Sequence, residues 1–495
     1  MPAGRSGRDP LMFKRGLIGY LPANLIQGGI GFLTLIVFTR VLSPEAYGHY
    51  ALAFGVTSFV HTLGFTWLEA AMARFWAGAS RDDGETGVLY GTLYRTFAAL
   101  AVGFAVLSTL ALWLIPLSHD LKLAVGAGLA SVVLRVLLKL VQEQRRAAGR
   151  VLPASMIDSI LTLAGFGFGV ALALAGLGGS APLLGVLLGC AICLPFVLKE
   201  DLKIAVAGRF DAGALRTYAA YGFPIAGSLI LTLGLYTLDR FLIAGFLDAA
   251  SVGAYHAGYS LASRSLDVVF LWIGAAGGPA LVAAFEQDGP DGLKQAARTQ
   301  FETMLFLTAP GAVGLMLVSG PLCDLMLGPD LREAAKSVTP LIVLGAFASG
   351  LTTYYFHQAF TLARKTRILM VAMVIPALAN LGLNLLLIPL LGLPGAALAT
   401  SLSFLMGLIA SLWLGRRFAT ALPLCPMAVI KTALACAVMA GFVVLLPAWG
   451  GWAELLLKGL CGGLVYAFMT LWLDLNGLRS NGLQFVKDFR AKRAS

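Results

Sequence analysis

Charge is scarce in this sequence. Only 12% of its 495 residues are Asp, Glu, Lys or Arg, while 58% are hydrophobic. A soluble chain of this length would need far more polar surface, so the composition excludes a water-soluble enzyme or binding domain. Histidine and cysteine are also few, 5 and 6. Cys190 and Cys193 form a CxxC, but no second pair or histidine cluster completes a metal site; Cys323, Cys425, Cys436 and Cys461 lie mostly in or beside apolar runs. No metal centre and no disulfide framework is expected. A GxxxxGK loop followed by Ser or Thr is missing, so the chain is not expected to hydrolyse a nucleotide itself. There is no DxD pair either, as a metal-assisted glycosyltransferase would carry.

Long hydrophobic runs, by contrast, fill the chain. Stretches of about 20 apolar residues recur, the length that crosses roughly 30 Å of hydrocarbon. They predict an all-α polytopic membrane protein with about fourteen helices. The expected cores lie near 17–39, 48–70, 89–115, 121–140, 154–177, 181–198, 219–247, 252–282, 299–326, 338–361, 368–390, 393–414, 427–447 and 455–475. Gly274, Gly277, Gly278 and Pro279 are expected to break the eighth. The first run, behind Arg5, Arg8, Lys14 and Arg15, is too long for a signal peptide and has no small-residue cleavage site, so it reads as an uncleaved span.

The basic residues give an orientation. With the N-terminus inside, cytoplasmic segments hold 26 of the 36 Lys and Arg residues, and the opposite side only Arg40, Lys122, Arg332, Lys336 and Lys458. Both termini are therefore expected in the cytoplasm. The net charge of +11 is accounted for by inner loops facing anionic headgroups, without nucleic acid.

Two segments repeat. Leu42-Ser43-Pro44-Glu45-Ala46-Tyr47-Gly48-His49-Tyr50 is echoed by Leu247-Asp248-Ala249-Ala250-Ser251-Val252-Gly253-Ala254-Tyr255, with Leu, Gly and Tyr in register. Gly19-Tyr20-Leu21-Pro22 is echoed by Tyr221-Gly222-Phe223-Pro224. Repetition inside a membrane-spanning chain points to two homologous lobes with a substrate path between them, hence to a transporter.

These segments, together with Leu238-Asp239-Arg240-Phe241-Leu242-Ile243-Ala244-Gly245 and Asn384-Leu385-Leu386-Leu387-Ile388-Pro389-Leu390-Leu391-Gly392-Leu393-Pro394-Gly395-Ala396, resemble the polysaccharide flippases that translocate polyprenyl-diphosphate-linked oligosaccharides. The wider superfamily includes multidrug extruders and the murein-precursor flippase. The resemblance implies two six-helix lobes, 16–200 and 217–417, joined by a cytoplasmic linker at 201–216. It also implies two further helices in 418–476, with basic cytoplasmic ends at 1–15 and 477–495, and alternating access in a bacterial inner membrane. Membrane lipids, a polysaccharide polymerase and glycosyltransferases would be partners. No cofactor is implied beyond a coupling ion, H+ or Na+.

A diphosphate-linked sugar needs cations and hydroxyls at bilayer depth, where each charge costs at least about 2.5 kcal/mol and so faces a cavity or a partner. The candidates are Arg264, Arg240, Arg135 and Arg95, with Tyr20, Asn24 and Gln27 on the polar face of the first span. His256, Ser260, Arg264 and Asp267 fall at helical spacing on one face, with an Arg264–Asp267 ion pair as the bland alternative. Asp239 and Asp267 are candidates for ion coupling, and Glu69 with Arg74 for a gate pair. Lys139 and Glu143 read as interfacial, and His357, Gln358, Asn380 and Asn384 as packing. The surplus of intramembrane arginine over acid disfavours a multidrug exporter for cationic drugs. The longest outer loop offers only Asp330 and Glu333, which disfavours a membrane-embedded glycosyltransferase or polymerase.

Overall fold

The computed structural model describes the backbone of residues 10–480 and the side chains of residues 26–480. Arg5, Arg8 and the basic tail from Lys487 to Arg493 lie outside the described residues, as do the side chains of Tyr20 and Asn24.

Among the described residues, every regular element is helical. In order, the helices are α1 (Pro10–Val41), α2 (Pro44–Gly64), α3 (Thr66–Ala79), α4 (Asp83–Leu114), α5 (His119–Ala147), α6 (Val151–Leu174), α7 (Ala181–Val197), α8 (Lys199–Ala207) and α9 (Ala212–Phe246). They continue as α10 (Ala249–Leu317), α11 (Ser319–Met326), α12 (Pro329–Leu351), α13 (Gln358–Leu362), α14 (Thr366–Leu391), α15 (Leu393–Phe418), α16 (Pro426–Val444) and α17 (Gly451–Trp472). A π-turn, Thr352–Phe356, joins α12 to α13.

Among the described residues, eleven helices are long and apolar enough to cross a membrane, or twelve with α2 and α3 taken as one span bent by 46°. The expected fourteen differs from this in two places. α10 counts once although two arms meet in it, and only Ile26–Val41 of the first span is counted, as a shorter apolar helix. One expectation is corrected. α10 runs helically through Gly274, Gly277, Gly278 and Pro279, and its break is at Gly289, with φ 66° and ψ −150°. Those glycines serve close packing instead: a Cβ on Gly274 would fall 2.2 Å from the Tyr354 ring.

The chain forms two compact units. The first runs to Ala244 and includes Asp248–Gly253; the second takes Gly245–Leu247 and everything from Ala254 onward. In the first unit, Trp67, Leu68 and Met72 of α3 bury against Tyr90, Leu93 and Phe97 of α4 and Val132 and Val136 of α5. α6 and α7 meet through glycine, since a Cβ on Gly185 would lie 2.3 Å from the Gly165 carbonyl. In the second unit, Ala435, Met439, Tyr466 and Met469 of α16 and α17 pack on Phe306, Ala309 and Val313 of α10.

The sequence repeat has a structural counterpart within the first unit. A Cβ on Gly48 would sit 1.7 Å from the Ala249 carbonyl oxygen, and one on Gly253 would sit 2.5 Å from that of Pro44. The two repeated glycines let the starts of α2 and α10 cross backbone to backbone.

Side chains such as Leu107, Trp113, Phe196, Leu464 and Phe468 are 67% or more exposed. A helical chain with so apolar an exterior is solvated by lipid, because helices satisfy their own backbone there. It is a multi-pass membrane protein.

Candidate functional site

In the first unit, α9 carries Asp239 and Arg240, which are 0% and 6% exposed. The Arg240 guanidinium donates to the Tyr236 carbonyl one turn back, and its Nη1 lies 3.7 Å from Asp239 Oδ1. A charge buried this deeply is held by its partners. On the same helix, the hydroxyls of Ser228 and Thr232 donate to the carbonyls of Ile225 and Ser228.

Glu69 does not pair with Arg74. The two are five apart on α3 and so do not share a helix face. The bend between α2 and α3 instead brings His61 Nε2 to 2.6 Å from Glu69 Oε1. Arg74 is exposed, its guanidinium 5.9 Å from the centroid of the Phe75 ring.

α5 holds a further group of charges toward its C-terminal end. Lys139 Nζ is 3.2 Å from Asp158 Oδ1 on α6, and Arg146 Nη2 is 2.6 Å from Asp158 Oδ2 while Nη1 pairs with Glu143. Lys139 and Glu143 are thus members of a four-charge network. Asp158 was not anticipated, because it sits alone inside an apolar run. Arg135, one turn before Lys139, is half-buried and makes no hydrogen bond or ion pair among the described residues.

Arg95 is exposed on α4, and its Nη2 donates to the Gly208 carbonyl at 2.8 Å. That contact belongs to the dock of α8 on α4. There Tyr94 donates its O–H to Asp201 at 3.0 Å, and the Asp211 amide donates to Thr92 Oγ1 at 3.1 Å. Burial pushes the Asp201 carboxyl up to about 6, although the Tyr94 hydroxyl and the Arg145 charge pull the other way. Nothing in the sequence pattern marked Asp201, which lies in a short charged linker helix.

Gln27 is exposed on α1. A cavity of about 910 Å³ in this unit gathers Glu45, His49, Asp120, Lys122 and Ser180 at the starts of α2, α5 and α7. None of the expected cargo residues lines it.

In the second unit, Arg264 and Asp267 are both exposed on α10. Arg264 lies within electrostatic reach of Asp267, but the two close no ion pair. Ser260 is buried, so the face expected to run from His256 to Asp267 is interrupted there. Asn380 and Asn384 are fully buried on α14. Asn380 Nδ2 donates to Thr400 Oγ1 at 3.3 Å, Asn384 Nδ2 donates to the Asn380 carbonyl at 2.9 Å, and the Tyr255 hydroxyl is 3.0 Å from Thr400 Oγ1. Among the described residues, no group of three or more His, Cys, Asp or Glu side chains is placed to hold a metal ion.

Chemically, the arrangement offers a guanidinium in each unit without an ion pair, half-buried Arg135 and exposed Arg264. Arg240, Arg95, Glu69, Lys139 and Glu143 are each engaged with or tied through local partners. Such cations suit a phosphorylated headgroup, which a guanidinium grips with paired hydrogen bonds.

Comparison with known proteins bears on the family and the fold. The family model described as "Polysaccharide biosynthesis protein" matches residues 37–336, more than half of the chain. "Probable flippase AglR" of Haloferax volcanii is 23% identical over 465 residues, covering 92% of this chain and 94% of AglR. Among solved structures, the lipid II flippase MurJ in an inward closed conformation superposes with a TM-score of 0.74 at 16% identity, covering 92% of this chain and 98% of MurJ. An inward-facing multidrug resistance transporter of the MATE family, within the MOP superfamily, gives a TM-score of 0.59 at 15% identity, covering 80% and 94%. At these identities the structural likeness shows the fold.

Proposed function

Since the chain belongs to the polysaccharide biosynthesis protein family, a membrane transporter family rather than an enzyme family, we propose that it flips a polyprenyl-diphosphate-linked oligosaccharide repeat unit from the inner to the outer leaflet of a bacterial cytoplasmic membrane. The product feeds surface polysaccharide synthesis, where glycosyltransferases act before it and a polymerase after it. Transport proceeds by alternating access across fourteen spans with both termini in the cytoplasm, the arrangement that the distribution of Lys and Arg favours.

The single observation that carries the anionic cargo is Arg264, an exposed guanidinium without an ion pair on an apolar helix. A charge left in that position needs a counter-charge from elsewhere. The diphosphate junction would supply it, while the polyprenyl tail stays in lipid. A cationic drug would be repelled there, which weighs against a multidrug exporter. Coupling to H+ or Na+ supplies the energy, with Asp239 and Asp267 as carboxylate candidates.

The test is deletion of the gene in its host, followed by analysis of lipid-linked oligosaccharides. Accumulation of the complete repeat unit on the inner leaflet is the expected result. Unchanged surface glycan with no accumulating intermediate would remove this function.

A further inference from the structure

The π-turn that joins α12 to α13 carries polar chemistry that the proposed cargo does not use. The carbonyl oxygen of Tyr354 accepts two side-chain amides, Gln300 Nε2 from the second arm of α10 at 3.2 Å and Gln358 Nε2 at 2.6 Å. That shared acceptor fixes both amides, since turning either one would set oxygen against oxygen. Their own oxygens are therefore directed away from the carbonyl. Gln300 Oε1, Gln358 Oε1 and His357 Nε2 are buried there with no partner. Gln300 is only 8% exposed.

Buried polar groups in folded proteins are almost always paired, so two orphaned amide oxygens whose amides meet at one carbonyl call for a missing donor or cation. The surrounding wall does not supply it. Gln300 lines a cavity of about 780 Å³ between the arms of α10, whose other walls are mainly Val268, Trp272, Ile273, Ala280 and Leu281. Gly277 presses against the Gln300 amide, where a Cβ would fall 2.2 Å from Nε2, and so holds it in place. The backbone adds to the cluster. The His357 amide bonds the Thr352 carbonyl at 2.9 Å, five residues back, and such single π-turns are frequent at functional sites.

The geometry points to a binding site for a monovalent metal cation, Na+ or K+, held by Gln300 Oε1 and Gln358 Oε1. Unpaired acceptors exclude an anion. A divalent ion is disfavoured because Ca2+ and Mg2+ recruit carboxylates, and the nearest acid along α10, Glu302, is engaged with Arg298 at 2.8 Å. Binding here is independent of the cargo; only a coupling role for the ion would rest on the proposed translocation.

The experiment uses the full chain purified in detergent and follows its thermal unfolding midpoint as NaCl or KCl replaces choline chloride at constant ionic strength. The wild type is expected to gain stability with one of the two salts, and that salt identifies the ion. Gln300→Leu and Gln358→Leu should lose the gain, or need about tenfold more salt to reach half of it. Gln300→Glu keeps an oxygen and adds charge, so it should reach half of the gain at about tenfold less salt. No salt-specific gain in the wild type, or the same salt dependence in both leucine variants, overturns the site. If the leucine variants fail to fold, an unchanged half-point in Gln300→Glu overturns it.

Discussion

One guanidinium on α10 separates the proposed cargo from its alternatives. Arg240 and Arg264 look equivalent in the sequence, each a lone arginine in an apolar run with an aspartate close by. The fold treats them differently. Arg240 is buried against Tyr236 and Asp239, whereas Arg264 is exposed and closes no ion pair. Arg264→Ala is therefore expected to lower glycan export at least about tenfold with normal membrane insertion, the loss of one charge-assisted grip of roughly 1.5–3 kcal/mol. Arg264→Lys should keep part of the activity if a point charge suffices, and lose it if two parallel hydrogen bonds are needed. Surface glycan at wild-type level in Arg264→Ala, measured with protein abundance, would remove the residue from the pathway. Intramembrane charges could be listed from the sequence, but their partners could not. Glu69 finds His61 only because the chain bends after Gly64, and Asp158 joins Lys139 and Arg146 only because α5 and α6 lie side by side.

At the scale of elements, the apolar runs were legible because a lipid-facing helix must be hydrophobic along its whole length. Breaks were less legible. Glycine signals a kink and a close contact equally well, and at Gly274 and Gly277 the contact won. The short helix α8 was missed altogether, since its nine residues carry no membrane-length run. Its dock on α4 has a pH dependence. Asp201 titrates near 6 instead of 3.8, so ionisation opposes the docked state. The stabilising contribution is full below about pH 3.8 and is lost as pH rises through 6, a change on the order of 3 kcal/mol. Asp201→Asn, which still accepts from Tyr94, should flatten the dependence of unfolding temperature on pH across that window. A wild-type profile that is already flat there, or an unchanged slope in the variant, would contradict the burial of the carboxylate.

For the whole molecule, the sequence disclosed its membrane character and the repeated turns, because both are written in local composition. It could not disclose that Gly48 and Gly253, more than two hundred residues apart, meet backbone to backbone. That contact explains why the repeat keeps its glycine: no other residue lets the starts of α2 and α10 come so close. The resemblance carried the family, which the match over residues 37–336 and the similarity to AglR support. The central claim is that this chain moves a phosphorylated glycan headgroup across the bilayer. The most direct measurement places the purified protein in vesicles whose polyprenyl-diphosphate oligosaccharide starts in the inner leaflet only, and follows its arrival outside with an added glycan-cleaving enzyme. The account predicts cleavage well above that in protein-free vesicles, and its loss in Arg264→Ala. Cleavage no faster than without protein, in vesicles where the protein is folded and inserted, would contradict it.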